Sequence, residues 1–110
     1  MACQDLVFKL KADFLKALAH PLRLAIIEQL KNGELSVSDL SHKLGVEQSA
    51  ISKNLAILRQ AGILRARKEK VTVYYAVRDP DMFKVLRLAA DFLSKKLKES
   101  QNALTHLARR

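Results

Sequence analysis

SVSDLSHKLGVEQSAISKNLAILRQAG, residues 36–62, reads as two short helices and the turn between them. Ser36 stands three residues before Asp39, the short-acid relative of a capping box, at the head of a brief helix through Leu40 and Leu44. Gly45 ends that helix. From Glu47 to Ala61 the apolar residues Ile51, Leu55 and Leu58 fall on one face, and Gly62 supplies the left-handed residue that stops the second helix. Two helices joined by so short a turn make a helix-turn-helix unit whose second helix can project. The face opposite the apolar stripe carries Gln48, Ser49, Ser52, Lys53 and Arg59, short or forked hydrogen-bonding groups in place of the usual Glu/Lys pairs. Asn54 lies at the margin of that exposed arc.

On the N-terminal side, Leu6, Val7, Leu10, Phe14, Leu15 and Leu18 recur at three and four and predict an amphipathic helix from Asp5 to Ala19. His20-Pro21 interrupts it, with His20 expected to be structural in a tight junction. A second helix with Leu22, Ile26, Ile27 and Leu30 runs to Asn32-Gly33. On the C-terminal side, residues 63–67 and 71–77 are rich in strand formers, so Lys68-Glu69-Lys70 is expected at the tip of an antiparallel hairpin. Arg78-Asp79-Pro80-Asp81 is a turn and cap. A long last helix follows through Met82, Val85, Leu86, Ala89, Phe92, Leu93 and Leu97; its pattern weakens beyond Ser100, where Leu104 and Leu107 can still prolong it. The expected fold is mostly α (α+β), a winged helix-turn-helix of order α-α-α-α-β-β-α. One domain spans 1–110, with the helix-turn-helix at about 36–62, the wing at about 63–77 and flanking helices at about 5–19 and 81–100.

A 110-residue chain buries roughly two thirds of its unfolded surface in one core, which leaves no room for a second. Hydrophobic residues make up 49% of it, yet no apolar run approaches the ~20 residues of a membrane span. MACQDLVFKL lacks the long apolar core and cleavage site of a secretory signal, so a cytoplasmic protein is expected. Cys3 is the only cysteine; it cannot form an intrachain disulfide, and a bond between protomers is left open. The net charge of +9 is polarised: residues 47–70 carry six basic against two acidic groups and residues 94–110 five against one, so eight of the nine excess charges lie in those two segments. Such polarisation suits nucleic acid or an anionic membrane surface, or simply keeps the chain soluble.

In this order and spacing, ALAHPLRLAIIEQL, ELSVSDLSHKLGV, QSAISKNLAILRQAGIL and RKEKVTVYYAV make the chain resemble the ArsR/SmtB family of transcriptional repressors over about residues 10–97. The resemblance implies a homodimer packed through its terminal helices, two winged units on one double-stranded DNA operator, and an inducer that releases the DNA. The residues point the same way. With Ile51, Leu55 and Leu58 inward, Gln48, Ser49, Ser52 and Lys53 face outward along the first turns, the part a recognition helix presents to the major groove. Gln pairs with adenine, Ser with either kind of base edge, Lys with guanine or phosphate. Arg59 and the wing residues Arg67, Lys68 and Lys70 are expected to bind DNA beside them. Many relatives have a glycine near this wing tip, where this chain has charged residues. Phe14, Leu18, Leu86, Phe92 and Leu93 are expected to form the dimer core and part of the protomer core.

The sensor positions of the family have other chemistry here. Ser36 and Ser38 stand where arsenic- and cadmium-sensing members carry thiolates, and neutral hydroxyls are poor ligands for soft metals. The zinc and nickel pattern along the last helix falls on Asp79, Asp81, Phe92 and Lys95, where Phe cannot coordinate and Lys brings positive charge. The dithiol pattern falls on Glu28 and Ser94. No metal site and no cofactor are expected, and the inducer is unknown; His42 and His106 lie far apart and rebuild no site. Neither a phosphate loop nor a nucleophile elbow is present, so catalysis is not expected. Two rivals to a sequence-specific repressor stay open. One is an architectural, nucleoid-like protein using the tail Lys95, Lys96, Lys98, Arg109 and Arg110; the other is a module whose basic face binds an acidic protein.

Overall fold

A computed structural model describes residues 3–108, which leaves Arg109 and Arg110 of the basic tail outside the described residues. Two compact units are distinguished, one up to Asp79 and one from Pro80 onward. The second unit is one helix and brings no core of its own. The first unit runs α1 (Cys3–Leu18), α2 (Pro21–Gln29), a 3-10 turn (Leu30–Asn32), β1 (Leu35–Ser36), α3 (Val37–Leu44), α4 (Gln48–Gln60), β2 (Leu64–Glu69) and β3 (Thr72–Val77). The second is α5 (Asp81–Ala108).

Local chemistry explains the boundaries. His20 precedes a proline, which pushes it out of the helical region to φ −154° and ψ 129°, and Pro21 then opens α2. The His20 Nδ1 accepts a hydrogen bond from the Leu22 N–H at 3.1 Å, so this histidine is a helix cap. Ser36 and Asp39 close a reciprocal capping box at α3: the Asp39 N–H donates to Ser36 Oγ at 3.1 Å and the Ser36 N–H to Asp39 Oδ2 at 3.0 Å. Hydrogen bonding to its carboxylate from Ser36, the backbone N–H foremost and then the side chain, holds the Asp39 carboxyl below its ordinary range. Gly45 closes α3 at φ 64°, a left-handed conformation that lets the chain turn into α4 after three residues. Ser41 Oγ donates to the Val46 carbonyl and pins that turn.

Ile26, Ile27, Leu40, Ile51, Leu55, Leu58 and Leu64 are the largest fully buried side chains. They come from α2, α3, α4 and β2, so the helix-turn-helix and the wing share one core. The three strands are antiparallel in the order β1-β3-β2. β1 was not expected: two residues are too few for a period-2 signal, and Leu35 and Ser36 become a strand only by pairing with Tyr75 and Tyr74. The hairpin tip also differs from expectation. Lys68 and Glu69 pair with Val73 and Thr72, which leaves Lys70 and Val71 as a two-residue turn. Lys70 takes φ 57°, supplying the left-handed step that a glycine would make without strain. The first unit is a winged helix-turn-helix.

α5 runs to Ala108, eight residues beyond the expected end, because Leu104 and Leu107 extend the apolar pattern. Met82 is its one buried residue; Leu88, Phe92, Leu93, Leu97, Leu104 and Leu107 are exposed in the protomer. α1 likewise exposes Leu6, Val7, Phe8, Leu10 and Leu15. Leu18, expected at the dimer interface, is 6% exposed and belongs to the protomer core, and Phe14 and Leu86 are half-buried. Among the described residues no helix is long and apolar enough to cross a membrane.

Candidate nucleic-acid interface

The first turns of α4 form an exposed polar end. Ile51, Leu55 and Leu58 point inward with no measurable exposure, and the helical period sends Gln48, Ser49, Ser52 and Lys53 to solvent. Gln48 and Ser49 do not cap the helix. The N-cap is Glu47, whose side chain makes no capping bond, so the two polar residues stay available to a ligand. Gln48 Nε2 donates instead to Ser38 Oγ at 3.3 Å, which brings an exposed hydroxyl of α3 to the edge of this face. Ser38 was missed as a contact because it lies ten residues from Gln48, beyond any single helix period. Arg59 follows Ser52 by seven residues, two turns along the same stripe and roughly 10 Å further up the axis. It lines an open cleft of about 490 Å³ with Ala56, Ile57, Gln60 and Tyr75.

Lys68 and Lys70 are exposed at the wing end, but Arg67 behaves otherwise than expected. Its guanidinium binds the Glu34 carboxylate through Nη2 and Nε, and Glu69 Oε2 through Nη1 at 2.8 Å. It also lies over the Tyr74 ring, 5.2 Å from the centroid. Two carboxylates thus neutralise a side chain expected to contact DNA, and Arg67 fastens the wing to the segment before β1. The pairing raises the Arg67 pKa and, mainly through the Arg67 hydrogen bond, lowers that of Glu34. A carboxyl whose folded pKa is depressed stabilises the fold above its unfolded value, and that contribution is lost as pH falls through the folded value. In an NMR titration the Glu34 carboxyl carbon should therefore show a midpoint below the ordinary 4.5, with the Arg67 Nε–H signal broadening in step; a midpoint at or above 4.5 would contradict the tie.

Asn54, placed by its spacing at the margin of the exposed arc, is 7% exposed. Its Nδ2 donates to the Ala50 carbonyl at 2.8 Å and its Oδ1 accepts from Arg23 Nη1 at 3.0 Å. At three residues from Ile51 and four from Leu58 it lies within the apolar stripe, a signal the sequence already carried.

Three comparisons with known proteins bear on what this arrangement does. Residues 20–66 match the family described as bacterial regulatory protein, arsR family. Rv0081 of Mycobacterium tuberculosis (strain ATCC 25618 / H37Rv), an uncharacterized HTH-type transcriptional regulator, is 37% identical over 102 residues, covering 92% of this chain and 90% of its own. The Rv0081 crystal structure superposes with a TM-score of 0.77 over 84% of this chain and 94% of that one. A biofilm growth-associated repressor of Agrobacterium fabrum (strain C58 / ATCC 33970) is 44% identical over 64 residues, 58% of this chain and 55% of the repressor. A homodimeric winged helix-turn-helix DNA-binding domain from Mycobacterium bovis, solved by NMR, has a TM-score of 0.79 at 26% identity and covers 90% of this chain and 92% of that one.

Proposed function

Because this chain belongs to the arsR family of bacterial regulatory proteins, and so is a DNA-binding transcriptional regulator rather than an enzyme, we propose that it is a cytoplasmic homodimeric repressor. In this reading two copies place their α4 helices in successive major grooves of one operator, and Gln48, Ser49, Ser52 and Lys53 read base edges. The exposed, uncapped polar end of α4 carries the proposal: a merely solvated helix end would not set four base-matching side chains on a face free of large apolar residues. Arg59, Lys68 and Lys70 add phosphate contacts, which position the dimer without specifying sequence.

Self-association is supported by the apolar surface each terminal helix leaves uncovered and by the homodimeric M. bovis neighbour. Phe92 and Leu93, 68% and 56% exposed, are the natural anchors. Replacing both with Glu is expected to yield a monomer by light scattering at micromolar concentration; an intact dimer would count against this interface.

The repressor acts without the family's metal or dithiol switch. In support, Ser36 is already engaged as the α3 cap, and Glu28 and Ser94 stand at the positions of the paired thiols. The proposal is tested on a duplex that the protein selects from a random-sequence pool, compared with a scrambled duplex of equal composition. Ser52→Ala with Lys53→Ala should reduce the ratio of the two affinities by about 10- to 100-fold, since each lost base contact costs roughly 1–3 kcal/mol. An unaltered protein with almost no preference between the duplexes would favour the architectural reading.

A further inference from the structure

Arg23 makes three side-chain hydrogen bonds in the first unit and has no part in the reading face. Its Nε donates to the Ala17 carbonyl at 2.6 Å and its Nη2 to the Lys16 carbonyl at 3.3 Å, at the C-terminal end of α1. The third arm, Nη1, reaches Asn54 in α4 at 3.0 Å, and Asn54 passes the connection to the Ala50 carbonyl in the first turns of that helix. Three planar N–H directions are thereby fixed at once, which a lysine at the same place could not do. An unbroken series of hydrogen bonds runs from the end of α1 to the reading end of α4.

Directional bonds do what the surrounding core cannot. The contacts of Ile51, Leu55 and Leu58 are apolar and tolerate a small roll of α4 about its axis, whereas a buried amide bonded on both sides admits one arrangement. With side chains, a helix has a radius of about 5–6 Å, so a roll of about 20° carries an exposed side-chain end roughly 2 Å sideways. That displacement is enough to lose a hydrogen bond to a base edge. Ser52 and Lys53 directly precede Asn54 in the chain and would feel it first.

We infer that Arg23 and Asn54 form a positioning latch that fixes the roll of α4, so that sequence discrimination depends on two side chains that do not face DNA. The inference rests on the proposal that α4 reads bases. Its test is the paired variant Arg23→Met with Asn54→Leu, which removes both partners of the central bond together. With the selected and scrambled duplexes described above, this variant should keep its helical content, dimeric state and affinity for the scrambled duplex. Its preference for the selected duplex should fall by roughly ten-fold, the scale of one misread base pair. Unchanged preference in a folded variant overturns the latch. The Ser52→Ala, Lys53→Ala protein, measured alongside, separates the two ideas: if it too keeps full preference, base reading by α4 fails and the latch with it, whereas loss there alone overturns only the latch. A measurement on the unaltered protein guards against a variant that does not fold. The Asn54 side-chain amide protons should exchange with D2O far more slowly than those of exposed Asn102, and equal rates would overturn the latch outright.

Discussion

Raising the salt from about 50 to about 200 mM should weaken DNA binding by roughly 10³- to 10⁵-fold, the loss expected of a protein that neutralises about 6 to 10 phosphates. The proposed interface supplies the cations. Lys53, Arg59, Lys68 and Lys70 are exposed, four per protomer and hence eight in the proposed dimer, while Arg67 is already matched by Glu34 and Glu69. The log–log slope of affinity against salt should fall by about 1.8 when Lys68 or Lys70 is replaced by Ala in both copies, at about 0.9 per phosphate contact. Filter binding across a salt series measures both quantities. A nearly flat titration would exclude an electrostatic interface altogether, and a slope indifferent to Lys68 and Lys70 would remove the wing from it.

Leu55→Ala should cost about 2–5 kcal/mol of folding stability. Leu55 has no measurable exposure and sits in the core shared by α2, α3, α4 and β2, so its removal leaves a cavity that several elements must relax to fill. Against the roughly 5–15 kcal/mol that holds a domain of this size together, that is a large fraction. Lys53→Ala, two residues earlier on the exposed face, should change stability by no more than about 0.5 kcal/mol. Urea denaturation at one fixed protein concentration compares the two, the fixed concentration being needed because association contributes to the stability of a dimer. A loss below about 1 kcal/mol for Leu55→Ala would mean that this core is looser than its burial implies.

The helices were legible because their signals are local and redundant. Ser36 with Asp39, Gly45, Gly62 and the Ile51-Leu55-Leu58 stripe each fix one boundary or one face of the helix-turn-helix, and they agree. The outward face of α4 could be named for the same reason, since inward residues dictate the outward ones. What escaped depends on partners distant in sequence. β1 exists through β3, Arg67 is taken up by Glu34 thirty-three residues away, and Arg23 meets Asn54 across thirty-one. A basic residue on a wing looks the same in the sequence whether its charge is free or matched. Only the fold brings Glu34 beside it. Leu18 and Leu93 illustrate a similar limit: both continue an apolar stripe, but one is buried in the protomer and the other is 56% exposed.

From Arg87 to Ala108 every residue of α5 is exposed in the protomer. In proteins a helix gains most of its stability from a surface laid against its apolar face rather than from propensity. In the proposed dimer that surface comes from a second chain, which makes the ordering of this segment a bimolecular event. Freshly made protomers would then acquire their last helix in pairs, at a rate rising with the square of their concentration. Below a threshold abundance the cell would hold incomplete chains, poorly able to grip two half-sites and open to proteolysis along an uncovered segment. The amount of regulator would thereby set how much of it is finished, a dose dependence that arises in the protein itself.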